Sequence, residues 1–121
     1  MNGRVILTGG GRLLDERYSW LHSYCQPVKN VLAICFNSSK LSLWASITHQ
    51  LFSDASVTIV GIDDSPKLSK QLVRLESFDA VFLTGGYPDK GLKALKKYSS
   101  DIKQFVDRGG LVVGTSAGSL V

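Results

Sequence analysis

The chain's last apolar run, Leu111-Val112-Val113, leads into Gly114-Thr115-Ser116-Ala117-Gly118, a pentapeptide of the form G-x-S-x-G. A serine at the centre of that pattern sits on a sharp turn from strand to helix, and small neighbours relieve the crowding around its backbone. Its hydroxyl then projects above a sheet at the positive end of a helix. The N–H of the next residue, Ala117, points where an oxyanion would form. The chemistry that suits this arrangement is acyl transfer, with Ser116 as nucleophile. The bare pattern also fits a tight turn that caps a helix, or an anion site. Its place directly after an apolar strand favours the catalytic reading. Gly85-Gly86 end the preceding apolar run, 80–84. If the two runs are neighbouring strands, the Gly86 region presents a second amide donor, and two backbone donors around one serine meet the needs of an acyl-transfer site.

Other candidate constellations carry less. Gly9-Gly10-Gly11 invites a dinucleotide reading, but a G-x-G-x-x-G frame opened at Gly9 meets Leu14 at its third glycine, and one opened at Gly10 fails at Arg12. No glycine loop is followed by the Lys-Ser or Lys-Thr pair of a phosphate-binding loop, so no cofactor is expected. Cys25 and Cys35 lie without CxxC or nearby histidine spacing and read as buried, reduced thiols, with no metal site expected. The two histidines, His22 and His49, fall inside expected helices as surface residues. Lys90, Lys93, Lys96, Lys97 and Lys103 supply much of the net charge of +4. At helical spacing they decorate a solvated face. No aromatic residues interleave with them, which speaks against a nucleic-acid partner.

These residues must be positioned by a regular scaffold. Apolar runs at 4–8, 31–36, 57–62, 80–84 and 111–114 read as five strands. Between them lie stretches with helical periodicity. Leu13, Leu14, Tyr18, Leu21 and Tyr24 recur at helical spacing until Pro27. A helix after Ser39 or Ser42, as cap, presents Leu43, Trp44, Ile47 and Leu51. Ser65 with Pro66 opens a short helix to about Leu75, and a longer helix spans 90–107 before Gly109-Gly110. Continuous Val/Ile/Leu strands separated by helices indicate a mainly parallel sheet covered on both faces: a three-layer, doubly wound, flavodoxin-like α/β fold. Ligands of such sheets bind beyond the carboxyl ends of the strands. Those ends here are Gly9-Gly10-Gly11, Asn37-Ser38-Ser39, Asp63-Asp64, Gly85-Gly86-Tyr87 and Ser116.

The 121 residues are 44% hydrophobic and 20% charged, which fits one globular domain over 1–121 and excludes a disordered polar chain. No run reaches the roughly 18 apolar residues of a membrane span. Met1-Asn2-Gly3-Arg4 leads straight into a strand without a signal-peptide pattern, so the expected compartment is the cytoplasm.

The stretch from Asp79 to Gly86, followed by Gly109 to Gly118 with its G-T-S-A-G elbow, resembles peptidase E and cyanophycinase. These are serine peptidases on a class I glutamine-amidotransferase-like fold. The first strand with Thr8-Gly9-Gly10 and the strand ending Phe36-Asn37-Ser38-Ser39 fit the same layout, so the resemblance runs along essentially the whole chain. It implies Ser116 as nucleophile, Gly86 and Ala117 as oxyanion-hole amides, and substrate contacts near Gly85, Tyr87 and Ser38. The implied substrate is a small peptide, with removal of N-terminal aspartate from dipeptides as the family's best-known activity. Tyr87 departs from the Asn or Asp that members often carry after the double glycine. The family's catalytic histidine and its acidic partner lie well downstream of the serine, whereas here the sequence ends at Val121. The resemblance therefore implies the serine-bearing part of a longer peptidase, apparently truncated after the fifth strand. Its other implications are a split enzyme completed by a second chain, a homodimer, or an inactive form that binds a small ligand. Exposed apolar surface is expected on the fifth strand. An α/β-hydrolase esterase shares the elbow, but no His-Gly-Gly motif accompanies it here.

Overall fold

The computed structural model describes residues 4–8, 28–36, 38–84, 96 and 98–115. Five strands form one parallel sheet: β1 (Arg4–Thr8), β2 (Asn30–Cys35), β3 (Ser56–Gly61), β4 (Ala80–Leu83) and β5 (Leu111–Thr115), in the spatial order β1-β5-β4-β2-β3. Each strand is a short β-branched or leucine-rich run, because a central parallel strand must be apolar on both faces. The register places Val31 beside Ala80, Ala80 beside Leu111, and Arg4 beside Leu111, so β4, β5 and β1 begin at one level, β2 begins one residue before it, and β4 ends one residue before the other three.

Three helices are described: α1 (Leu41–Leu51), α2 (Ser65–Leu72) and α3 (Ser99–Asp107). Period-two alternation divides the core into two layers. Val31, Ala33, Phe82, Leu111 and Val113 face α1, whose Leu51 is buried with them and whose Trp44 and Ile47 pack against them. Phe82 sits at the centre of that layer, edge-on to Trp44 with ring centroids 6.1 Å apart, and 6.1 Å from Phe52. Leu32, Ile34, Val81, Leu83 and Val112 face the other way, toward Leu68 and Leu72 of α2 and Phe105 of α3. Burying each such side chain contributes about 1.5–3 kcal/mol, so both layers hold the sheet.

Local chemistry sets the helix ends. The Asp64 carboxylate caps α2 by accepting from the Lys67 N–H at 3.3 Å, with Pro66 in the first turn. The cap is thus one residue earlier than the expected Ser65, and the helix ends at Leu72, with a separate 3₁₀ turn at Leu75–Ser77. Helix α1 has no side-chain cap at Lys40, in contrast to the expected Ser39 or Ser42, because a 3₁₀ turn at Ser38–Lys40 runs directly into it. The inward stripe of α1 is Trp44 and Ile47, half-buried, with Thr48 and Leu51, buried, whereas Leu43, expected on that face, is 51% exposed. It lies one position, about 100° of helix, away from Trp44. Thr48 is buried without penalty because its hydroxyl donates to the Trp44 carbonyl at 2.6 Å. The long helix expected over 90–107 does not run unbroken, since Tyr98 (φ −107°, ψ 9°) precedes an α3 that starts at Ser99. Residues 90–95 lie outside the described residues. So does the expected helix before Pro27.

Helix α3 ends in a Schellman motif. The Gly109 N–H donates to the Val106 carbonyl at 3.0 Å and the Gly110 N–H to the Phe105 carbonyl at 2.9 Å. Gly109 takes φ 101°, which a side-chain-bearing residue rarely adopts. A Cβ on Gly110 would overlap the buried Phe105 ring. The expected exposed apolar surface on β5 is absent: Leu111, Val112 and Val113 are all buried. The exposed apolar residue lies one strand further out, at Val5 of edge strand β1, which is 54% exposed although its register partner is the buried Val112. Helix α3 covers Val112 but does not reach over Val5. Cys35 is buried, and Cys25 lies outside the described residues.

Candidate active site

The strand order determines where a ligand can enter. From β2 the chain crosses outward to β3, and from β4 it crosses the opposite way to β5, while β2 and β4 themselves are neighbours. Adjacent strands whose connections leave in opposite directions open a crevice at their carboxyl ends, the topological switch point of a doubly wound sheet. The crevice therefore lies between Cys35-Phe36 and Leu83-Thr84. On its far side, β5 pairs with β4 and ends at Thr115, directly before Ser116.

Neighbouring strands lie about 4.8 Å apart. The end of β5 is then one strand from the end of β4 and about 10 Å from the end of β2. The chain segments that begin at Ser116, Gly85 and Ser38 thus leave from three adjacent strands at one edge of the sheet. Ser116, Ala117, Gly85, Gly86 and Tyr87 themselves lie outside the described residues, whereas Ser38 opens the 3₁₀ turn after β2. Asp63 and Asp64 follow β3, the outer strand on the far side of β2, and Asp64 is engaged as the cap of α2. β3 itself is separated from β5 by β4 and β2.

The residue that sequence reasoning missed is Thr84. It is fully buried, its N–H donates to the Ile34 carbonyl at 3.1 Å, and its Oγ1 accepts from the Phe36 N–H at 3.2 Å. The side chain bridges the carboxyl ends of β4 and β2. A threonine directly before Gly-Gly at a strand end was visible in the sequence, but its partner could not be named until β2 and β4 were known to be neighbours.

His49 is the one histidine among the described residues, exposed in the last turn of α1. That turn leads to the start of β3, so His49 stands at the amino end of the sheet, opposite the strand ends that precede Ser116 and Gly85. Lys96 and Lys103 are exposed, as a solvated face requires, while Lys90, Lys93, Lys97 and His22 lie outside the described residues. Among the described residues no three or more His, Cys, Asp or Glu side chains gather as a metal site. Among them, too, no helix is long and apolar enough to cross a membrane.

No protein-family model and no curated protein sequence matches the chain. Solved structures do. A candidate peptidase E protein from Listeria monocytogenes EGD-e superposes with a TM-score of 0.69 at 21% identity, covering 98% of this chain and 60% of its own. A peptidase from an acI-B1 actinobacterium superposes with a TM-score of 0.78 at 17% identity, covering 100% of this chain and 57% of its own. The 121 residues thus span about three fifths of each of these structures. With strand order, crevice and superposition in agreement, the chain has a peptidase E-like fold.

Proposed function

We propose that this chain is a serine peptidase of the peptidase E kind, or the nucleophile-bearing part of one, acting on small peptides that begin with aspartate. The observation that carries the reading is the parallel β4–β5 pair, which sets the strand end before Gly85-Gly86 beside the strand end before Ser116. In this mechanism the Ser116 hydroxyl attacks the scissile carbonyl, and its proton passes to a general base. Negative charge develops on the carbonyl oxygen, where the Gly86 and Ala117 amides stabilise it. The acyl-enzyme then forms as the amine leaves with that proton, and water releases the acid. Gly85, Tyr87 and Ser38 border the place where the substrate lies. The resemblance assigns the base to the downstream part of a peptidase E-like enzyme, and His49, the one histidine among the described residues, is at the wrong end of the sheet.

A fluorophosphonate probe tests the nucleophile. Labelling of the folded chain that disappears in Ser116→Ala supports it, and release of aspartate from an Asp-X dipeptide supports the narrower substrate. No labelling of folded protein would overturn the view that this chain alone carries an activated serine. The position of His49 favours one second reading, a non-catalytic module that binds a small polar ligand at the same crevice. Calorimetric binding of small acids without any hydrolysis would distinguish it.

A further inference from the structure

We infer that Thr84 is a positioning residue that sets the geometry of the crevice, through a hydroxyl that stands in for a backbone carbonyl. The inference deepens the peptidase reading and rests on it for the catalytic consequence. In a parallel ladder, the Thr84 N–H donates to the Ile34 carbonyl, and the next bond in sequence would run from the Phe36 N–H to the Thr84 carbonyl. The first bond is present at 3.1 Å. The second is replaced: the Phe36 N–H donates instead to Thr84 Oγ1 at 3.2 Å. β4 ends one residue earlier, at Leu83.

The replacement has a geometric meaning. A carbonyl acceptor would oblige β4 to stay extended alongside β2 through Thr84. A side-chain acceptor satisfies the same buried N–H while leaving the main chain able to turn away before Gly85. It does so at the switch point, between the residues that lead into Gly85-Gly86 and those that lead into Asn37-Ser38. Thr84 is fully buried, so water cannot take over this bond. Valine has nearly the shape of threonine but lacks the acceptor, so it tests the hydroxyl rather than the volume. Serine keeps the hydroxyl and loses only a methyl group.

The experiment compares Thr84→Val and Thr84→Ser with the wild type in three measurements: fluorophosphonate labelling of Ser116, backbone amide chemical shifts, and hydrogen exchange at Phe36. In Thr84→Val we expect the labelling rate to fall by about 100-fold, the order that a displacement of about 1 Å at a catalytic group costs. Amide shifts should concentrate at Phe36–Ser38 and Gly85–Gly86, and Phe36 exchange should accelerate. In Thr84→Ser we expect labelling within about threefold of wild type and near-native shifts. Labelling of Thr84→Val at the wild-type rate, or of Thr84→Ser as slow as Thr84→Val, overturns the inference. If the wild type does not label, this chain alone does not carry an activated serine, and the amide measurements decide Thr84 on their own. Unchanged shifts at Gly85 and Gly86 in Thr84→Val would then refute its positioning role. If Thr84→Val does not fold, Thr84→Ser decides through its amides, since a shift at Gly85 and Gly86 as large as at Phe36 contradicts a hydroxyl-based clamp.

Discussion

The two ends of the β2–β4 pair are fastened by different chemistry. At the amino end, Asp79 Oδ2 accepts from the Lys29 N–H at 3.1 Å and the Asn30 N–H at 2.9 Å, in an exposed setting. The Asp79 N–H also donates to the Asn30 carbonyl, and its own carbonyl accepts from Leu111, so one residue ties the starts of β2, β4 and β5. At the carboxyl end, the buried Thr84 hydroxyl accepts from the Phe36 N–H. Water can replace the carboxylate's bonds but not the hydroxyl's. The exposed fastener is therefore the less sensitive to removal, because the cost of truncation follows the buried groups left unpaired.

The largest expected effect lies at the amino end, but in packing. Gly110→Ala would drive a Cβ into the buried Phe105 ring, so urea unfolding should show a loss of about 3 kcal/mol, while labelling of the molecules that remain folded stays near the wild-type rate. Next comes Thr84→Val, which strands the Phe36 N–H and should lose about 2 kcal/mol in the same measurement. Here stability and labelling fall together, unlike Gly110→Ala. The smallest effect belongs to Asp79→Ala. Its two partner N–H groups turn to solvent, giving a loss of about 1 kcal/mol with labelling unchanged. A larger loss for Asp79→Ala than for Thr84→Val would reverse the contrast between the ends.

Most of the scaffold was legible in the sequence because parallel strands buried on both faces leave unbroken apolar runs. β1 has the predicted bounds, β2 and β3 each begin and end one residue earlier than predicted, and β4 and β5 differ by one residue at their carboxyl ends. Helix faces were less legible. Leu43 and Trp44 are both apolar neighbours, and only the packing against Phe82 shows which of them turns inward. Caps depend on backbone angles that residue types do not determine, as Asp64 in place of Ser65 illustrates. At the site, the serine and glycines announce themselves by type and spacing. Thr84 does not, because its role exists only through a partner 48 positions away in the chain.

The pairing of β1 with β5 has a consequence for how the protein comes off the ribosome. β1 is made before the other four strands, yet its partner strand is the last of the five, and even the Arg4 N–H waits for the Gly110 carbonyl. At about 5–20 residues per second, the nascent β1 stays unpaired for roughly 5–20 s. Arg4-Val5-Ile6-Leu7-Thr8 is then an apolar segment in search of an edge, open to chaperones or to neighbouring chains. The strand that precedes Ser116 is also the one that ends this exposure, so translation speed between β1 and β5 should govern how much of the protein escapes aggregation.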